Sequence, residues 1–375
     1  MRIALFGGSF DPVHSEHVRL VCAAKESLAL DEVIVIPSFC APHKAWGAHA
    51  AGDDRLEMCK IAFRGLPFVR VSDFELRTGG TSYTYLTCRH FAQEYPEAEL
   101  YFLLGADMLE NFFSWKNPQD IVKNVRIAAC GRGEDGVEGY AERFRSEFGC
   151  DFIKIPYSGA KISSTRLRTE LAFGKTPDGL DSSVLGYIRE RGLYEYPAIL
   201  PALALEKEGR QAHSLGVAIL ATARARSVGV TEEKALLASA LHDCGKSVSL
   251  TSPLLEGFTL PEGVPAPVVH QYTGAYLAEH EFGIADDDIL NAIRYHTSGR
   301  EGMTTLEKLV YLSDLLEEGR DYQGVDALRE LFWKDLDECL LRSLEEQIAH
   351  LERSGKEIYS LTRKAYEWAK KVVKQ

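Results

Sequence analysis

Up to about residue 195 the chain alternates apolar, β-rich runs with amphipathic stretches, and beyond that point the β-rich runs stop. Strand candidates are 2–6, DEVIVIPS (31–38), FVRVSDFEL (68–76), ELYFLLGAD (99–107), VRIAAC (125–130) and DFIKIPY (151–157). Helical periodicity occupies 15–28, 53–64, 81–94, 117–124 and 138–147. This order predicts a doubly wound parallel sheet, whose ligands lie beyond the carboxyl ends of its strands. Gly7, Pro37, Gly105 and the pair Tyr157 and Ser158 fall at or just after such ends. Later, 202–228, 231–244, 266–281, 286–296, 304–318, 324–352 and 356–373 read as helices with polar connections. Thr231, followed by Glu232 and Glu233, has the composition of an N-cap with acids in the first turn. The expectation is therefore two domains, an α/β unit over 1–196 and an all-α unit over 197–375, divided near the proline-flanked stretch 197–201.

Composition narrows the function. A net charge of -12 over 375 residues leaves no basic excess to neutralise a nucleic-acid backbone, so phosphate recognition has to come from local sites. The eight cysteines include no CxxC pair, which argues against a zinc ribbon or a disulfide framework. No signal peptide and no apolar run of membrane-spanning length is evident. The expectation is a cytoplasmic protein with no membrane and no nucleic-acid partner. The sequence fixes no oligomeric state, and a homodimer is compatible with it.

The stretch FGGSFDPVHSEHV (6–18) leaves the first strand at Gly7 and Gly8 and enters a helix near Ser15. His14 and His17, three apart, share a face there. They stand over free backbone N–H groups and the positive end of a helix dipole, where an anion is favoured. KISSTRLR (161–168) repeats the theme after the last strand: Ser163, Ser164 and Thr165 open a helix carrying Arg166 and Arg168. Hydroxyls, N-terminal amides and an arginine suit a polyphosphate.

Together these residues resemble the nucleotidyltransferase superfamily with HxGH and ISSTxxR signatures, and within it the bacterial nicotinate-nucleotide adenylyltransferases. The resemblance covers about residues 1–195 and runs through GGSFDPVHSEHV, PSFCAPHK, DFELRTGGTSYTYLT, FLLGADMLENFFSWKN, KISSTRLR and YIRERGLY. It implies a Rossmann-like fold and transfer of the adenylyl group of ATP to nicotinate mononucleotide, with Mg²⁺ bound through the ATP phosphates. It also implies that His14, His17 and Lys44 contact those phosphates and that Ser163, Ser164, Thr165 and Arg168 hold the β and γ groups. Gly7, Gly8, Ser9 and Phe10 would line the nucleotide, and Gly105 and Asp107 would sit at the central strand end. Thr84 and Trp115 would meet the pyridine ring, although Trp115 also reads as a core aromatic. Related enzymes that adenylylate nicotinamide mononucleotide or phosphopantetheine share the histidine motif. One position departs from the pattern: Glu16 stands where glycine is usual. A carboxylate near phosphates is unfavourable unless it points away or pairs with a cation such as Arg19, and Glu16 is expected at a solvent-facing helix position.

The second half contains RQAHSLGVA, ALHDCGK, VVHQYTGAY, RYHTSGR and VYLSDLLEEGR. His213, the adjacent pair His242 and Asp243, His270, His296 and Asp314 lie on separate predicted helices. Their order, H…HD…H…H…D, is that of a metal cage with enough imidazole and carboxylate for two ions and no thiolate. Cys244 reads as packing, and His280 and His350 as helix surface. Lys246, Arg294 and Arg300 flank the motifs and could bind phosphate. This half resembles the HD-domain phosphohydrolases, and within them the bacterial symmetrical diadenosine tetraphosphate hydrolases. The resemblance implies a dinuclear iron or manganese centre held by His213, His242, Asp243, His270, His296 and Asp314, with Asp243 bridging. It implies cleavage of diadenosine tetraphosphate to two ADP. Another nucleotide phosphohydrolase, a cyclic-nucleotide phosphodiesterase and a nucleotide-sensing module remain open from the residues alone.

Overall fold

The computed structural model describes residues 1–40, 48–130, 138–157, 159–160 and 162–374. They form two compact units, one comprising 1–167 and 176–194, the other 168–175 and 195–375. The division at residues 194 and 195 lies close to the proline-flanked stretch. The segment 168–175 belongs with the helical unit although it precedes that stretch.

Six parallel strands build the first unit: β1 (Arg2–Gly8), β2 (Glu32–Pro37), β3 (Val69–Val71), β4 (Glu99–Gly105), β5 (Arg126–Cys130) and β6 (Ile153–Ile155). Their order is β3-β2-β1-β4-β5-β6, all pairs parallel, so the chain reverses direction across the sheet between β1 and β4. Ile3, Ala4 and Leu5 in β1 and Val33 to Ile36 in β2 have no exposed surface. Burial on both faces is what a parallel sheet with helices on each side demands, and it explains why these strands read as unbroken apolar runs. Each such Val, Ile or Leu contributes about 1.5–3 kcal/mol of transfer free energy.

Two expected elements differ. The strand expected over 68–76 ends at Val71: the backbone N–H of Ser72 makes a last bond to Val35, and the Ser72 hydroxyl then accepts from Phe74 N. The chain turns there into a short helix, Phe74–Thr78. A helix at Ser182–Glu190, capped by Asp181, lay outside the expected set. It lies against the helix Gly52–Phe63, with the Tyr187 hydroxyl donating to Asp54 at 2.8 Å.

The second unit is helical, as expected. Its core runs through Ala218, Ala221, Leu241, Leu277, Ile293, Leu309, Val310 and Leu312. Thr231 caps the helix Glu232–Leu241 by accepting from Lys234 N. Two long expected helices are each divided. Lys207 is extended between Ile199–Ala204 and Glu208–Ala225. Asp335, also extended, accepts from Asp337 N and Glu338 N and so starts Leu336–Arg353 after Val325–Lys334 has ended. Aspartate competes for backbone N–H groups in this way, and periodicity alone does not register it.

Candidate functional sites

In the first unit the sheet switch point lies at Gly7, Gly8 and Gly105, the last residues of β1 and β4. Phe10 follows with a left-handed φ of 49° and is 2% exposed. Its ring meets His17 edge-on at 5.0 Å, so it backs that imidazole. Arg55 holds the turn from behind by donating to the Ser9 carbonyl. His14 is the N-cap of the helix Ser15–Leu28, and His17 Nδ1 accepts from His14 N at 3.1 Å. The two rings stack at 3.7 Å. The start of the helix Ser164–Ala172 comes to the same place: the Ser164 hydroxyl donates to the Pro12 carbonyl at 3.1 Å. Ser163 is exposed and accepts from Arg166 N. Thus the motifs at residues 7–17 and 163–165, about 150 residues apart in sequence, meet at the carboxyl end of the sheet. A small pocket opens beside the histidine turn, lined by His14, Glu16, His17, Leu20, Gly105, Cys130, Tyr157 and Gly159.

Glu16 is 5% exposed and so does not face solvent. It accepts from Arg19 Nη1 at 3.1 Å, as its alternative reading proposed, and from the Tyr157 hydroxyl at 2.6 Å. Arg168, expected at the phosphates, lies in the second unit, where its Nε donates to Glu232 at 2.9 Å. The Glu232 carboxylate is nearly fully buried and needs that cation. Trp115 is partly buried against Phe102 and Phe112 at the margin of the core, and Thr84 begins the helix Thr84–Glu94. Lys44 lies outside the described residues, as does the side chain of Asp107.

In the second unit the expected cage residues converge. Among the described residues, His213, His242 and Asp314 place one donor atom each within 4.8 Å of one another, and so do His242, Asp243 and His296. His270 joins the second group: its Nε2 lies 3.1 Å from His296 Nε2 and 3.5 Å from Asp243 Oδ1. Three imidazoles are fixed through Nδ1. That of His242 donates to the Ser239 carbonyl at 2.6 Å, that of His296 to the Ile293 carbonyl at 2.7 Å, and that of His213 to Glu317 at 3.1 Å. Ser239 and Ile293 each lie one helical turn before the histidine they hold, so a helix C-terminus supplies the partner. With Nδ1 protonated, His242 Nε2 carries a lone pair. That atom is buried, makes no hydrogen bond, and stands 3.6 Å from Asp243 Oδ2. A lone pair directed at a carboxylate inside a protein is unfavourable unless a cation lies between them. The donor set therefore fits a divalent metal.

Burial holds His242 down to about 4 and His270 down to about 3, with the Asp243 charge opposing both. Both rings are thus neutral and able to donate a lone pair near neutral pH. Burial would raise Asp243, but His242, His296 and Lys246 hold it well below the usual carboxylate range.

Lys246 lies 3.2 Å from Asp243. Arg300 pairs with the fully buried Glu307 at 2.6–2.8 Å. Arg294 donates to Asn291. Four residues beyond the expected set enter the site. Arg210 pairs with Asp243 at 3.0 Å, Arg320 with Asp314 at 2.5 Å, Glu317 with His213, and Glu206 receives the Ser214 hydroxyl at 2.9 Å. Arg210 precedes His213 by three residues and Glu317 follows Asp314 by three, the spacing that puts side chains on one helix face. That signal was present in the sequence.

Both halves of the chain match known families. Residues 5–170 match the cytidylyltransferase-like family and residues 210–319 match the HD domain. The chain is 30% identical over 343 residues to a "Probable nicotinate-nucleotide adenylyltransferase/Ap4A hydrolase" of Mycoplasma pneumoniae, covering 88% of this chain and 95% of that protein. It is 33% identical over 202 residues to a "Probable nicotinate-nucleotide adenylyltransferase" of Gloeobacter violaceus, covering 52% of this chain and 98% of the relative. A crystal structure of a "predicted HD superfamily hydrolase involved in NAD metabolism" from Clostridium acetobutylicum covers 48% of this chain and 96% of its own, at 31% identity and a TM-score of 0.42. An HD domain implies a divalent metal. No helix among the described residues is long and apolar enough to cross a membrane. With one relative matched over nearly its whole length, the chain belongs to the nicotinate-nucleotide adenylyltransferase/Ap4A hydrolase family, in which a cytidylyltransferase-like domain precedes an HD domain.

Proposed function

We propose that this chain is a bifunctional enzyme of nucleotide metabolism. Its first unit transfers the adenylyl group of ATP to nicotinate mononucleotide, releasing pyrophosphate and forming deamido-NAD. Its second unit hydrolyses diadenosine tetraphosphate to two ADP. The names of the full-length relatives support both activities.

For the first, the carrying observation is the junction of the stacked His14 and His17 with the Ser164 helix start at the switch point. A phosphate oxygen of nicotinate mononucleotide attacks the α-phosphorus of ATP, and the bond from that phosphorus to the pyrophosphate oxygen breaks. The attacking oxygen is already ionised near neutral pH, so the site needs to position reactants and stabilise charge rather than take a proton. In this reading His14, His17 and Lys44 meet the triphosphate, with Mg²⁺ carried on it. Ser163, Ser164 and Thr165 receive the departing groups. Gly7, Gly8, Ser9 and Gly105 let the nucleotide approach the strand ends, while Asp107, Thr84 and Trp115 serve the ribose and pyridine. Phe10 acts through His17, while Arg168 is paired with Glu232.

For the second, the carrying observation is the unbonded lone pair of His242 Nε2 among carboxylates. His213, His242, Asp243, His270, His296 and Asp314 would hold two ions, for which iron or manganese suits the imidazole and carboxylate donors. Such ions supply Lewis-acid polarisation of a phosphoryl group and activation of water. Asp243 directs Oδ1 towards His270 and His296 and Oδ2 towards His242, which suits a bridging carboxylate. Arg210, Lys246 and Arg320, each about one third exposed around the buried ligands, are placed to take the charge of the departing ADP.

The test of the first activity presents the full chain with Mg²⁺, ATP and, in turn, nicotinate mononucleotide, nicotinamide mononucleotide and phosphopantetheine, and measures pyrophosphate. Preference for nicotinate mononucleotide, lost in His17→Ala, is expected. Preference for phosphopantetheine would overturn the substrate assignment.

A further inference from the structure

Glu317 lies just past the end of the helix Thr305–Leu316 and is 6% exposed. One carboxylate oxygen, Oε1, stands 3.1 Å from His213 Nδ1, and the other accepts from Gly319 N at 2.6 Å. Across the same imidazole, Nε2 is 2.9 Å from Asp314 Oδ1. The opposite wall is Gly216, inside the helix Glu208–Ala225 and three residues after His213. A Cβ there would stand 2.6 Å from Glu317 Oε2 and 3.2 Å from its Cδ. Glycine in a helix interior is unfavourable relative to alanine, and no left-handed backbone angle calls for it at this position. What its bareness provides is room for the carboxylate beside His213.

We propose that Glu317 is a positioning residue for His213, and that Gly216 is the space that admits it. Ionised carboxylates flank the ring on both sides, Glu317 at Nδ1 and Asp314 at Nε2, and each only accepts hydrogen bonds. Arg320 Nη2, a donor only, pairs with Asp314 and also reaches Nε2 at 3.3 Å. Nε2 therefore carries the lone pair, and Nδ1, against Glu317, carries the proton. Nε2 is then the nitrogen presented to an ion on the Asp314 side. His242 and His296 obtain the same orientation from backbone carbonyls one turn back. His213 lies only five residues beyond the start of its helix and has a side chain from a distant helix end in that role. The inference rests on the metal-site reading, and it assigns to Glu317 a part in it that is separate from ligation.

The test compares Glu317→Ala, Glu317→Gln and Gly216→Ala in the full chain. Long-range ¹H–¹⁵N correlation spectra report which ring nitrogen of His213 carries the proton, and chelator competition reports Mn²⁺ affinity. Glu317→Ala is expected to lose the single Nδ1–H form and to weaken one of two Mn²⁺ sites by 10- to 100-fold, the usual scale for such partners. Glu317→Gln retains an acceptor oxygen and is expected to keep the tautomer and most of the affinity. Gly216→Ala, which leaves every proposed ligand in place, is expected to mimic Glu317→Ala by displacing the carboxylate. An Nδ1–H spectrum unchanged in Glu317→Ala and Gly216→Ala overturns the proposal, and so does an equal loss of affinity in Gln and Ala. Failure of the native chain to bind Mn²⁺ at all, with the tautomer still dependent on Glu317, would instead overturn the metal-site reading.

Discussion

The carboxylate of Glu16 accepts a 2.6 Å hydrogen bond from the hydroxyl of Tyr157, 141 residues away in sequence. Its other oxygen accepts from Arg19. An acidic side chain is thus held inside the histidine turn where a polyphosphate is proposed to bind, with both oxygens occupied by donors. Its charge still opposes a phosphate several ångströms off. Glu16→Gln is expected to lower the KM for ATP roughly threefold to tenfold, the scale of one unit charge near a protein surface. Tyr157→Phe, which frees one oxygen, is expected to raise it. Steady-state kinetics decides, and an unchanged KM in both variants contradicts the account.

The buried histidines of the second unit set an acid limit on stability. His242 titrates at about 4 in the folded chain against 6.5 when exposed, because burial disfavours its charged form. Between those values the unfolded state binds the proton and the folded state does not, so stability is full above 6.5 and falls as pH drops towards 4. For His242 alone the loss is about 3 kcal/mol. His270, held to about 3 chiefly by burial, acts in the same direction. Denaturant melts of chelator-treated protein from pH 7.5 to 4.5 are expected to show this decline, and His242→Gln is expected to flatten it.

Glu206 works with the opposite sign. Burial raises it to about 7 despite the hydroxyl of Ser214 on its carboxylate. Its folded form keeps a proton that the unfolded chain loses above 4.5, so its contribution is present below 4.5 and disappears as pH rises through about 7. Glu206→Gln is expected to stabilise the protein above pH 7 by on the order of 2 kcal/mol and to change little at pH 5. Thermal melts at the two pH values check this.

Arg168 and Glu232 form a pair with side chains 6% and 4% exposed. Arg226 Nε also stands 3.4 Å from the other Glu232 oxygen. Arg168→Met and Glu232→Gln each weaken this buried charge network and are each expected to cost up to about 3 kcal/mol, the low end for breaking a buried pair. The double variant is expected to lose much less than the sum. Additive losses would show that the two side chains are not coupled.

Much of the architecture was legible because buried parallel strands and amphipathic helices write their periods into the sequence. The succession of strands along the chain, the glycine pair at the end of β1 and the histidines and aspartates on successive helices all came from local pattern. Signals that depend on a distant partner did not. Glu16 was read as solvent-facing because nothing near it in sequence names Tyr157. Arg168 was read with its neighbouring hydroxyls, whereas its partner stands 64 residues on. Arg300 likewise looked available until Glu307 was placed against it. The division at Asp335 is a local competition between a carboxylate and the backbone, which helical periodicity on both sides concealed.

Two proposed active centres on one chain make a reciprocal prediction. The native protein, His17→Ala and His242→Ala, each given Mg²⁺ and Mn²⁺, would be assayed side by side for deamido-NAD formation and for diadenosine tetraphosphate cleavage, with products resolved by ion-exchange chromatography. The account predicts that His17→Ala loses only the first activity. It predicts that His242→Ala loses only the second, and that ADP is the sole product of that cleavage. Cleavage to ATP and AMP, or no cleavage by native protein with Mn²⁺ demonstrably bound, would contradict it.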